Sequence, residues 1–190
     1  MFKKMILGAV AALGLAAAAN AEVLLTVDLT VPNEVTISAT DGLSSASLTG
    51  SQIIGFYLAD FYSSGTTTFV DDTLISGDLT TFLNPSDGSP NLFNVSGNTG
   101  LNVFSFSTDS DVDFVSGTQA FSGSATWTLG AAAYAEMAAG NTFGDIYFPA
   151  DSDDDIADAT VIGQWEVVIP APGAMALLGV AGLVGTRRRR

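Results

Sequence analysis

Carboxylates are the only charged side chains in the body of this sequence. Twenty Asp and Glu fall between residues 22 and 169, with no Lys, Arg or His among them. Two runs place Asp at alternate positions, the start of an oxygen-ligand loop. They are Asp109-Ser110-Asp111-Val112-Asp113 and Asp151-Ser152-Asp153-Asp154-Asp155, the second with Asp158 close behind. Ca²⁺ takes about six to eight oxygen ligands in flexible geometry, so alternating carboxylates suit it. Neither run continues as an EF-hand. Phe114 and Ile156 stand where the turn needs Gly, and Ala120 and Ile162 where the bidentate Glu belongs. The first run also alternates Asp with Val112 and Phe114, which reads as a strand with one solvated face. The second packs five acids into eight residues, which repel one another unless a cation intervenes. No cofactor is expected. A Ca²⁺ ion at Asp151, Asp153 and Asp155 is the alternative to a plain acidic surface.

Catalysis finds little to work with. The chain has no His and no Cys, and its acidic section has no Lys or Arg. That removes the Ser-His-Asp and Cys-His nucleophile systems, Schiff-base lysines and arginine clamps. A pair of carboxylates suffices for glycoside hydrolysis. Glu22, Glu34, Glu136 and Glu166 join the plentiful Asp, but no spacing singles out a pair. No catalytic residue is expected and the protein is read as a non-enzyme. Nucleic acid is excluded as a partner because nothing in this section neutralises phosphates. Neutral sugars remain open, and Trp127, Trp165, Tyr57, Tyr62 and Tyr147 are the aromatics on which a ring would stack unless the core claims them.

The elements that hold these residues read as strands. Val23-Leu24-Leu25-Thr26-Val27-Asp28-Leu29, Leu101 to Ser107, Gln119 to Leu129 and Val161 to Val168 carry apolar residues in partial alternation with small polar ones. Clusters such as Asn84-Pro85-Ser86-Asp87-Gly88-Ser89-Pro90 and Ser96-Gly97-Asn98-Thr99-Gly100 mark turns. One segment, Ala131 to Ala139, is helical by propensity, and Gly140-Asn141 supplies its stop. Many short strands and one helix, without βαβ alternation, predict a mainly β domain over residues 22–169. The expected form is a single antiparallel β-sandwich, jelly-roll-like. No Cys is available to staple it, so it must stand on apolar burial, for which the chain offers twelve Phe, all but Phe2 in this domain.

All six basic residues lie outside that domain, at the two ends of the chain. Lys3 and Lys4 precede an apolar run from Met5 to Ala19, and Ala19-Asn20-Ala21 fits the small-x-small cleavage rule. Residues 1–21 therefore read as a secretory signal peptide cut between Ala21 and Glu22, with an uncleaved anchor as the alternative. At the other end come Pro170, Ala171, Pro172 and Gly173, then an apolar stretch from Ala174 to Gly185, then Arg187, Arg188, Arg189 and Arg190. The stretch is twelve residues. As a helix it would be about 18 Å long. It spans only with local bilayer thinning and snorkelling of the arginines. Four arginines favour the cytoplasmic side, which leaves the acidic domain across the membrane.

A Pro-x-Pro-Gly motif, a short apolar helix and a terminal Arg cluster together resemble the PEP-CTERM sorting signal of exported bacterial proteins. Residues 170–190 carry the likeness. Ala171 stands where the motif that names the family has Glu. The resemblance implies recognition by an exosortase, a membrane-embedded cysteine protease-like transpeptidase, in bacteria that commonly also make exopolysaccharide. The expected partners are the secretion machinery, an exosortase-like membrane protease, the membrane through the C-terminal helix, and exopolysaccharide. The expected role is a non-enzymatic cell-surface or extracellular-matrix protein. A carbohydrate-binding module and a carboxylate-dependent glycosidase are the alternatives.

Overall fold

The computed structural model describes residues 21–51, 55–65, 72–85, 90–94, 96–103, 111–150 and 156–168. Thirteen strands and one helix are present among them. In chain order the first strands are β1 (Val23–Asp28), β2 (Glu34–Ala39), β3 (Leu48–Ser51), β4 (Phe56–Leu58), β5 (Asp72–Gly77), β6 (Thr80–Thr81) and β7 (Leu92–Phe93). There follow β8 (Leu101–Val103), β9 (Asp111–Phe114), β10 (Phe121–Ser122), β11 (Ser124–Leu129), α1 (Ala131–Ala138), β12 (Phe143–Phe148) and β13 (Thr160–Val168). The expected mainly β fold with one short helix is what forms.

Nine strands make one mixed sheet in the order β5-β11-β2-β1-β13-β12-β4-β8-β7. The sheet curves until it is nearly closed into a barrel. Its two edges approach each other. Leu92 of β7 donates its N–H to the Asp72 carboxylate of β5 at 3.4 Å, and the Trp127 indole of β11 donates to the Pro90 carbonyl at 3.1 Å. Two small ladders, β10 with β6 and β3 with β9, complete the described strands.

Alternation explains which way the strands face. In β2, Val35 and Ile37 are buried while Glu34, Thr36 and Ser38 are not; in β11, Ala125, Trp127 and Leu129 point inward. On the outer side the hydroxyls of Thr36 and Thr126 meet at 2.8 Å across the β2–β11 pair. Trp127 and Trp165 are fully buried. Truncating either to Ala costs about 3–5 kcal/mol. Phenylalanines tie the ladders to the main sheet: Phe114 of β9 packs on Phe121 of β10 and Phe148 of β12 with ring centroids 5.5 and 5.0 Å apart.

One expectation needs correcting. The sheet is not wholly antiparallel, because β1 and β13 pair in parallel, Val23 beside Gln164 and Asp28 beside Val168. The reason is topological. Antiparallel neighbours are joined by short turns, whereas parallel ones need a long crossover. Here nearly the whole domain is that crossover. One curved nine-stranded sheet with two small ladders stands in place of two facing antiparallel sheets. The pairing also sends Glu22, before β1, and Val168, at the end of β13, to opposite ends of the two strands.

The helix forms where composition placed it. Its Ala-rich turns suit a helix, and the Ala139 and Gly140 amides close it on the carbonyls of Ala135 and Met137. It joins β11 to β12 and buries Ala133 and Met137. No helix of the described residues is long and apolar enough to cross a membrane. The expected spanning helix, Ala174 to Gly185, lies outside the described residues.

Candidate functional site

Beyond the helix the chain turns through Asn141 and Thr142 into β12. The strand alternates Phe143, Asp145 and Tyr147 on its outer side with Gly144, Ile146 and Phe148 on its inner side. Phe143 is 70% exposed, the most exposed large apolar side chain among the described residues. In register with the neighbouring strand, Phe143 sits opposite Glu166 and Asp145 opposite Gln164. Side chains directly opposite lie about 4.5–5.5 Å apart at Cβ. Beside them opens a cleft of about 490 Å³ lined by Asp60, Asn141, Thr142, Phe143, Gly144, Asp145 and Gln164.

The amide NH₂ groups of this cleft are both taken by the protein itself. Asn141 donates through its side-chain NH₂ to the carbonyls of Asp60, at 2.6 Å, and Tyr62, at 3.5 Å. Gln164 donates through Nε2 to Asp145 Oδ1 at 3.1 Å. Because an amide oxygen cannot accept from a carbonyl or a carboxylate, these bonds set the amide orientations. Both NH₂ groups are thus engaged, leaving Asn141 Oδ1, Gln164 Oε1 and Asp145 Oδ2 as acceptors. Asp60 has left-handed backbone, with φ 52°, and turns the chain out of β4. Its carboxylate takes the Thr99 hydroxyl at 3.5 Å. The floor is rigid. Trp165 Nε1 donates to the Ala59 carbonyl at 3.1 Å, and the Ala59 amide donates to the Asp145 carbonyl at 2.9 Å.

The aromatics that the sequence offered for stacking go elsewhere. Trp127, Trp165, Tyr57 and Tyr62 are buried, and Tyr147 is half-buried. Tyr62 packs edge-on to Phe61, and its phenol is held well above the usual tyrosine range, first by burial and then by the nearby Glu136 carboxylate. Phe143 escaped the sequence reading because it was not counted among the sugar-stacking aromatics. Its alternation with Asp145, directly after a helix stop, is the signal that places it on the solvent side.

Of the first Asp run, Asp111 to Asp113 lie in strand β9, and Asp109 and Ser110 lie outside the described residues. Asp111 and Asp113 face outward from β9 while Val112 and Phe114 are buried, and Asp113 accepts the Thr49 hydroxyl at 2.5 Å from the paired strand β3. Among the described residues no group of three or more acids is placed to hold a metal ion. The second run, with Asp151, Asp153 and Asp155, lies outside the described residues, as do Ala19, the motif Pro170, Ala171, Pro172 and Gly173, and the cluster Arg187 to Arg190. Of the expected signal-cleavage residues, Ala21 and Glu22 are described. Glu22 is exposed, accepts the Leu43 amide on its carboxylate at 2.7 Å, and receives the Gln164 amide on its carbonyl at 2.8 Å.

No protein-family model, curated protein or solved structure matches this chain.

Proposed function

We propose that this is an exported, non-enzymatic protein of the cell surface or extracellular matrix, sorted through a PEP-CTERM-like tail and processed by an exosortase-like membrane protease. The observation that carries the reading is the segregation of charge. Every basic residue lies in the first four or last four positions, and all twenty acids lie between. Such a pattern suits two membrane-directed ends around one translocated domain. The start of the fold agrees with it: β1 begins one residue after Glu22. Glu22, before β1, and Val168, in β13, lie at opposite ends of these two adjacent parallel strands. The absence of His and Cys from the chain, and of basic side chains from the domain, supports a binding or structural role over catalysis.

Mass spectrometry of the protein isolated from the surface of its own host tests this. The expected N-terminus is Glu22, and the expected C-terminus precedes Arg187. Intact chains ending at Arg190 would reduce the tail to an anchor, and intact chains beginning at Met1 would replace the cleaved signal peptide by the uncleaved anchor.

A further inference from the structure

We propose that the Phe143 cleft binds a sugar bearing a free, protonated amine, as found along a partly N-deacetylated amino-sugar polymer. The inference is carried by the geometry of the cleft and stands independently of the sorting tail.

Three observations converge. Phe143 offers an exposed ring at the cleft mouth, although burial is the normal fate of Phe. A sugar's C–H face or a cation stacks on such a ring, and an ammonium there gains about 0.5–1 kcal/mol. The NH₂ groups of Asn141 and Gln164 are engaged by the Asp60 and Tyr62 carbonyls and by the Asp145 carboxylate, so what these side chains have left to offer a ligand is acceptors. A ligand must therefore bring donors. Glu166 faces Phe143 across the strand pair, and Asp145 lies one pleat away, so carboxylates flank the ring.

The donor requirement narrows the ligand class. Uronic acids and phosphates are repelled, since the domain has no cation to receive them. A bare metal ion is disfavoured because no three acids converge on one point among the described residues. A lysine side chain brings a single ammonium to acceptors that come from β12, β13 and the turn before β12. A hexosamine brings an ammonium and several hydroxyls on a flat ring, which matches acceptors spread around an aromatic face. The cleft, at about 490 Å³, has room for a ring of that size.

The test is calorimetric titration of the full chain, purified in mild detergent at about 150 mM salt, with glucosamine hexamer, N-acetylglucosamine hexamer and hexalysine. The expected order is glucosamine hexamer tightest, with the other two at least tenfold weaker. Phe143→Ala is expected to weaken the glucosamine hexamer about two- to fivefold, matching the cation–ring contribution. Glu166→Gln is expected to weaken it more than Asp78→Asn, a neutralisation on the exposed connection between β5 and β6. Equal binding of the acetylated hexamer or of hexalysine overturns the proposal. So does an equal effect of Glu166→Gln and Asp78→Asn, which would mean diffuse attraction to an acidic surface. Circular dichroism of each variant separates lost binding from lost fold.

Discussion

Gly144→Ala tests whether the floor of the cleft is as tightly packed as its geometry implies. A Cβ at Gly144 would press on the Ala59 carbonyl oxygen and lie 2.7 Å from Trp165 Nε1 and 3.0 Å from its Cε2. Backbone oxygen and a buried indole have little freedom to move aside. Overpacking of this kind costs about 1–3 kcal/mol. The same methyl wedges into the Trp165–Ala59 hydrogen bond, which spans 3.1 Å. Leaving those buried groups unpaired costs about 1–3 kcal/mol more. The sum is roughly 2–6 kcal/mol. A domain of this size moves its midpoint about 2–4 °C per kcal/mol, so the expected fall in Tm is about 5–20 °C. Thermal unfolding followed by tryptophan fluorescence is the assay, because Trp165 is one of only two tryptophans. Gly130→Ala is the control, since a Cβ there meets nothing within 4 Å. It is the N-cap of α1 with φ −60°, which Ala adopts freely, and because Gly is favoured over Ala at an N-cap it is expected to lower stability by about 0.5–1 kcal/mol, below the cost at Gly144. A Gly144→Ala midpoint within about 2 °C of the parent would refute the packing argument.

Two further outcomes follow from buried polar groups. Tyr62 holds its proton more tightly in the folded state than in the unfolded chain, by burial and by Glu136, so unfolding favours its ionisation. Its contribution to stability is complete below the unfolded tyrosine pKa of about 10 and falls as pH rises above it. Tyr62→Phe should flatten the alkaline fall in Tm, and an unchanged pH profile would count against Tyr62 as its source. Asn102 of β8 is fully buried, and among the described residues neither its Oδ1 nor its Nδ2 has a hydrogen-bond partner. An unpaired buried amide costs about 1–3 kcal/mol, so Asn102→Leu should raise the urea midpoint by about 1–2 kcal/mol in stability terms. A loss of stability would show that the amide is satisfied in solution.

How much of the fold was legible can be seen strand by strand. Val161 to Val168 and Val23 to Leu29 stand out because their apolar residues follow the pleat, and they became β13 and β1. Gln119 to Leu129 read as one strand but is broken into β10 and β11 at Gly123, whose φ of 79° turns the chain. The Ala-rich helix was legible because its propensity is local. β4 and β7 were not singled out, since strands of three and two residues carry too few positions to establish a period.

The sequence by itself determined the charge architecture: acids confined to the domain, bases confined to the ends, and no His or Cys anywhere in the chain. Those conclusions need only composition and order along the chain. Tertiary structure alone decided which aromatics reach solvent and which acceptors share a cleft. Trp165 and Phe143 both lie on regular strands, and only the pairing of Gly144 with Trp165 and of Phe143 with Glu166 sends one ring into the core and the other to the surface. The parallel meeting of β1 and β13 was decided there too, because it joins residues at the two ends of the domain, and local propensity carries no information about contacts at that separation.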